Sequence, residues 1–189
     1  MRILLLEQTT DRPDSLAERL EAVECHVVAR ALDAREFEKS LDRHDCDILV
    51  LDLVERDAAL IQQVGQMGQR NNLPVAVFVE ETDIGTIHAA VEAGISSYIV
   101  RGSQKERLRD ALEVARARFA SERALRDDLA SARSTLADRK VIERAKGRLM
   151  KEQCLDEEAA YSALRAFAMR RNTKIIDVAR SILAGSRVL

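Results

Sequence analysis

Two sets of residues in this 189-residue chain have the types and spacing to do chemistry. The first is a cationic stripe. Lys140, Arg144, Arg148 and Lys151 fall within about 80° of one another when the stretch "ERAKGRLMKEQ" is wound as an α-helix at 100° per residue. Gly147 lies inside that arc, and Ile142, Ala145 and Leu149 lie roughly opposite. Glycine costs a helix interior about 1 kcal/mol relative to alanine, so either a ligand or another backbone comes close at that point or the position is merely tolerated. Downstream, Tyr161, Arg165 and Ala168 share a second helical stripe that Asn172 continues. An aromatic ring, a guanidinium and an amide on one face can stack on and hydrogen-bond unpaired bases while the first helix binds phosphates. The alternative is a solvated face with Tyr161 as a packing residue, and periodicity does not choose between the two.

The second set is acidic and lies at the ends of apolar segments: Glu7 and Gln8, then Asp52, with Val79 and Arg101 at equivalent places further on. Little else resembles catalytic apparatus. The chain has no phosphate-gripping glycine loop and no nucleophile–base pair, so an enzyme is the least expected class. His26, His44 and His88 form no spaced ligand pair, and Cys25, Cys46 and Cys154 are odd in number and scattered. Neither a disulfide framework nor a zinc site is expected, and a reducing cytoplasm fits best. No window approaches the roughly 18 apolar residues of a membrane span.

Charge is distributed unevenly. Residues 1–102 hold 10 Lys and Arg against 19 Asp and Glu, whereas residues 139–189 hold 12 against 6. An acidic head and a basic tail suggest that the tail meets a polyanion.

The elements that must position these groups follow from hydrophobic pattern. Apolar runs of strand length occur at 2–7, 26–30, 47–52, 74–80 and 97–100, separated by amphipathic stretches at 14–23, 33–43, 57–69 and 83–93. Near-continuous apolar strands alternating with helices predict a doubly wound α/β domain with a five-stranded parallel sheet, whose ligands sit outside the carboxyl ends of the strands. A fifth helix is expected to start near Ser103 and to run without proline to about Gln153. Along it, Leu108, Leu112, Ala115 and Phe119, and again Leu125, Leu129, Ala132 and Leu136, follow +4, +3, +4 spacing. Glu122 stands where the first series should continue, a three-residue stammer. The two quartets predict a parallel coiled-coil dimer, against the alternative of a helix packed on its own head domain. Two shorter helices follow, one capped by Asp156 and one by Thr173, with Gly185 as a stop, and they close a small three-helix core with Ala145, Leu149 and Leu164. The chain thus divides into a head at 1–118, a coiled-coil linker at 103–138 and an all-α tail at 139–189.

The head resembles the receiver domain of response regulators. That resemblance implies a phosphoryl acceptor at Asp52, acids after strand one that hold Mg²⁺, a strand-four hydroxyl, a strand-five lysine, and an aromatic at Tyr98. Here the pattern is broken: Gln8 is neutral, Val79 has no hydroxyl, and Arg101 stands in place of lysine. Control by phosphorylation is therefore not the expected mode, and no cofactor is assigned, with Mg²⁺ the one candidate the resemblance leaves open.

The tail resembles an ANTAR domain over 139–183, on "AKGRLM", "EAAYSALR" and "VARSIL". The resemblance implies an RNA-binding transcription antiterminator that binds a leader RNA with paired hairpins and keeps a terminator from forming. With "FVEETD" after strand four, the arrangement is most similar to the nitrate/nitrite-assimilation (NasT-like) regulators, whose partner is a small-molecule sensor protein; amide-type regulators are the sibling reading. Lys146, Gly147, Tyr161 and Arg165 sit on the family motif, and Lys146, Tyr161 and Arg165 are the expected RNA contacts, although Lys146 lies off the cationic arc. A phosphorylation-controlled response regulator or a helix-turn-helix DNA binder are the other readings.

Overall fold

The computed structural model describes residues 1–8, 15–55, 57–81, 83–100 and 108–185. Five strands and seven helices occur in the order β1 (Arg2–Glu7), α1 (Leu16–Glu21), β2 (His26–Ala31), α2 (Ala34–Leu41), β3 (Ile48–Leu53), α3 (Ala58–Asn71), β4 (Val75–Val79), α4 (Ile84–Glu92), β5 (Ser97–Val100), α5 (Leu108–Gln153), α6 (Glu157–Arg171) and α7 (Ile175–Leu183). The chain forms two compact units, Met1–Arg123 and Ala124–Leu189.

In the first unit the strands pair in parallel in the order β2-β1-β3-β4-β5, the doubly wound sheet that the apolar runs predict. Alternation along the strands sends side chains to two cores. Leu4, Leu6, Leu49, Leu51, Val75 and Val77 meet residues of α2, α3 and α4 on one face. Ile3, Leu5, Ile48, Val50, Ala76 and Phe78 meet α1 and the start of α5 on the other. Local signals place the helices between them. Asp33, Asp57 and Asp83 each cap a helix by accepting a backbone N–H three residues on, which satisfies donors that the first turn leaves open.

The early part of α5 corrects the expected seam. Leu108, Leu112 and Ala115 are at most 5% exposed and belong to the core beneath α1 and the sheet, while Phe119 is half-buried. An open parallel sheet must bury both faces, and the first quartet covers one of them, so Leu108 and Leu112 are not available to a dimer. Leu125, Leu129 and Leu136, by contrast, are 71%, 50% and 60% exposed. The expected helix start near Ser103 lies outside the described residues.

The second unit packs the last turns of α5 against α6 and α7. Ala145, Leu149, Ala160, Leu164, Ala168, Val178, Ala179 and Ile182 form its core. Asp156 caps α6 through the Ala159 N–H at 2.7 Å. Thr173 does not cap α7: the cap position is Lys174, with no side-chain bond to the helix. Asn172 takes a left-handed conformation with φ 50° and ends α6, its N–H directed at the carbonyls of Ala168 and Met169. Its identity thus has a backbone explanation, since asparagine tolerates this region better than most residues. Gly185, with φ 84°, follows the end of α7.

Candidate nucleic-acid interface and the acidic site of the head

In the tail, the structure divides the expected cations into two kinds. Lys146 is only 7% exposed. Its Nζ lies 2.7 Å from Glu157 Oε1 at the start of α6 and 2.9 Å from Glu143 Oε2 one turn back on α5. The hydrogen bond to Glu157, then that to Glu143, raises the Lys146 pKa above the ordinary lysine value, and the same contact lowers that of Glu157. Arg148 is also engaged: Nη1 donates to the carbonyls of Ile182 (2.8 Å) and Leu183 (3.3 Å), and Nε donates to Glu152 at 2.6 Å. It ties α5 to carbonyls at the carboxyl end of α7. Lys146 and Arg148 are therefore clamps that hold α6 and α7 on α5. Arg180 is a third clamp, 3.0 Å from Asp138.

Lys140, Arg144 and Lys151 remain exposed, and none forms an ion pair among the described residues. Gly147 lies beside them, and a Cβ added there would meet no atom within 4 Å. No neighbour among the described residues therefore requires the glycine. On α6, Tyr161 is 46% exposed and Arg165, one turn on, is exposed. Ala168, expected on the same stripe, is instead 7% exposed and part of the core. α6 packs through Ala160, Leu164 and Ala168, a row that leans toward the Tyr161 side.

Sequence reasoning missed one cluster. Arg170 and Arg171 place their guanidinium carbons 4.5 and 5.5 Å from the ring centre of Phe167. Both are exposed and sit at the carboxyl end of α6, where cations favour the macrodipole. The charge count held the signal, but a wheel built around Tyr161 did not use it. Of the six acids in 139–189, Glu143, Glu152, Glu157 and Asp177 pair with Lys146, Arg148, Lys146 and Arg180, and Asp156 caps α6. Glu158 is the sixth and is exposed, so the positive surplus among the described residues rests on exposed residues of α5 and α6, with Lys174 before α7.

In the head, Glu7 and Asp52 are paired in register on adjacent strands and are 2% and 5% exposed. By strand alternation both fall on the α1 face, in step with Ile3, Leu5, Ile48 and Val50. Glu7 accepts from Ser15 Oγ at 3.2 Å and the Ala17 N–H at 3.4 Å, and Arg30 Nη2 lies 2.5 Å from its second oxygen. Gln8 is exposed, and its Oε1 accepts from the Val54 N–H at 3.4 Å. Val79 pairs with Leu53 and packs in the core on the α2–α4 face, which Tyr98 also touches. Val79 and Tyr98 therefore join that core and are not gathered around Asp52. Arg101 lies outside the described residues.

A cavity of about 220 Å³ at the ends of β3 and β4 is lined by Val54, Glu55, Val79, Glu80 and Glu81. Three carboxylates there oppose an incoming phosphate, and among the described residues no hydroxyl lines the cavity. The residues present do not fit Mg²⁺ either. Glu7 is already bonded to three donors, and no group of three His, Cys, Asp or Glu among the described residues is placed to hold a metal.

Comparison with known proteins agrees with both halves. Residues 130–183 match the ANTAR domain family model. Over 182 residues, 96% of this chain and 89% of the relative, the sequence is 27% identical to the transcriptional regulatory protein PdtaR of Mycobacterium tuberculosis strain H37Rv. A 59-residue stretch, 31% of this chain and 15% of the relative, is 44% identical to the nitrate regulatory protein of Klebsiella oxytoca. Among solved structures, the signal receiver domain of a modulated diguanylate cyclase from Desulfovibrio desulfuricans G20 superposes with a TM-score of 0.55 at 18% identity, covering 64% of this chain and 97% of that one. A CheY-like receiver domain protein from Methanospirillum hungatei JF-1 gives 0.52 at 18% identity over the same shares. These two likenesses establish the fold of the head. No described helix is long and apolar enough to cross a membrane. Residues 130–183 thus carry an ANTAR domain, and the head that precedes it has the receiver-like α/β fold.

Proposed function

We propose that this protein is an RNA-binding transcription antiterminator: its ANTAR unit grips a leader RNA with two paired hairpins and keeps a terminator from forming. The observation that carries this reading is the division of the tail's charges. Five of its six acids are matched internally or used as a cap, while Lys140, Arg144 and Lys151 stay exposed on α5, which also carries the open flank of Gly147, and Tyr161 and Arg165 stay exposed on α6. Phosphates meet the cations, and unpaired loop bases stack on Tyr161 and Arg165. Arg170 and Arg171 extend the basic surface toward the flanking stem.

The dimer follows from Leu125, Leu129 and Leu136, exposed on α5 at coiled-coil spacing. A second copy of the same helix is the surface that covers such a seam, and two ANTAR units would then meet two hairpins. Control by a sensor protein that sequesters the regulator, rather than by phosphorylation, is supported by the anion-repelling cavity and by the donors already bonded to Glu7. The nitrate reading of that sensor rests on the similarity of a 59-residue stretch to a nitrate regulatory protein, with an amide sensor as the alternative.

Cross-linking in cells and sequencing of the bound RNA tests the proposal, followed by transcription in vitro through the enriched leaders. The expected result is pairs of short stem-loops just upstream of terminators, with read-through that rises on adding the protein. Enrichment of unstructured RNA, or read-through that the protein leaves unchanged, would contradict it.

A further inference from the structure

One carboxylate of the tail has no use within the chain. Five of the six acids in 139–189 form ion pairs or cap a helix, but Glu158 is exposed and makes no hydrogen bond or ion pair among the described residues. The first turn of α6 already has its cap in Asp156 and a negative charge in Glu157. What sets Glu158 apart is its place. At 100° per residue, Glu158, Tyr161, Arg165 and Met169 fall within about 80° of one another, and all four are exposed. Tyr161 and Met169 are 46% and 67% exposed, a ring and a thioether where a merely solvated face would carry polar groups.

Side chains three apart on a helix are neighbours, with Cβ atoms about 5–6 Å apart, and long side chains lean toward the helix N-terminus. A base stacked on the Tyr161 ring therefore lies over the turn that carries Glu158, with an edge turned to the carboxylate. An ionised carboxylate only accepts hydrogen bonds, through two oxygens. Guanine alone among the four bases presents two adjacent donors on its Watson–Crick edge, N1–H and N2–H. Adenine and cytosine set one donor beside an acceptor that the carboxylate repels, and uracil has a single donor between two carbonyls.

We propose that Glu158 is a specificity-determining residue that selects guanine in the RNA loop, accepting from N1–H and N2–H of the base stacked on Tyr161. It also acts against wrong loops. Where no donor pair meets it, a negative charge stands unpaired against RNA on an otherwise basic surface. The inference rests on the RNA reading above and adds to it the identity of one base.

The experiment selects RNA from a pool of two-stem-loop transcripts with randomised loops, using the full chain as wild type and as Glu158→Ala. Fluorescence anisotropy then gives Kd for a selected RNA and for the same RNA with the loop guanine replaced by inosine or adenine. Wild type is expected to enrich guanine at one fixed loop position. Adenine there should weaken binding roughly tenfold or more, and inosine, which lacks the N2 donor, by an intermediate factor. Glu158→Ala should lose the enrichment and bind the three RNAs alike, with Glu158→Gln between it and wild type. If Glu158 acted only through its charge or on the fold, all three RNAs would shift by one common factor in Glu158→Ala and the guanine preference would survive. That result overturns the proposal, as does wild-type selection without guanine enrichment. Failure of wild type to bind any stem-loop RNA would overturn the RNA reading itself and this inference with it, so the two failures are told apart.

Discussion

Lys146 Nζ lies 2.7 Å from Glu157 Oε1, and this contact ties the end of α5 to the first turn of α6. The most motif-like cation of the tail is therefore spent inside the protein. The cations that face outward are its neighbours on the helix, Lys140, Arg144 and Lys151.

Exchanging these two kinds of lysine and arginine should separate stability from binding. Lys140→Gln with Arg144→Gln is expected to leave unfolding within about 0.5 kcal/mol of wild type. The same pair should lower the salt dependence of RNA binding by roughly 0.7–0.9 for each phosphate that is no longer neutralised. Lys146→Gln should do the reverse: the ANTAR unit melts earlier, while the folded fraction keeps its salt slope. Filter binding at several salt concentrations, alongside circular dichroism melts, measures both.

The Lys146–Glu157 pair also fixes a pH window. The Glu157 pKa is lowered by Lys146, so its share of stability is present above the ordinary glutamate pKa and is lost as pH falls through the lowered value. The Lys146 pKa is raised, chiefly by Glu157 and next by Glu143, so its share is present below the ordinary lysine pKa and is lost as pH rises through the raised value. The stability gap between wild type and Lys146→Gln should be widest near neutral pH and close toward both extremes. Denaturant titrations across pH check this directly.

Gly147 offers a cleaner contrast. A Cβ there meets nothing, so Gly147→Ala should stabilise the helix by about 0.5–1 kcal/mol. If an RNA backbone approaches at that point, affinity falls although the protein is more stable. Unfolding and binding curves for this one variant give the two signs.

The long helix should respond differently at its two ends. Leu112→Ala empties a fully buried site in the head and is expected to cost about 2–5 kcal/mol without changing association. Leu125→Gln with Leu129→Gln alters only exposed positions and should leave the melt of the head unchanged while weakening the dimer. Analytical ultracentrifugation of both variants resolves the difference.

These contrasts show what the sequence could and could not carry. The sheet was legible because each strand is a nearly unbroken apolar run, and burial on both faces leaves no other reading of "ILVLDL" or "VAVFV". The seam was half legible: +4, +3 spacing states that Leu108 and Leu112 are buried but not against what, and the unfilled face of the sheet claims them first. Side-chain length hid the internal contacts of the tail cations. Lys146 and Arg148 are long enough to cross to a neighbouring helix, and a helical wheel records only where each stem begins. The Arg30–Glu7 contact spans 23 positions and follows from strand order alone, which no local pattern contains.

Recognition of hairpin RNA by the ANTAR unit is tested most directly by competition binding. A leader RNA with two stem-loops is set against duplex DNA of the same sequence, for wild type and for Tyr161→Ala. Wild type is expected to prefer the RNA, and Tyr161→Ala to lose about 1–3 kcal/mol of that binding as stacking is removed. Equal or tighter binding to the DNA, or an RNA affinity that Tyr161→Ala leaves unchanged, would contradict hairpin recognition.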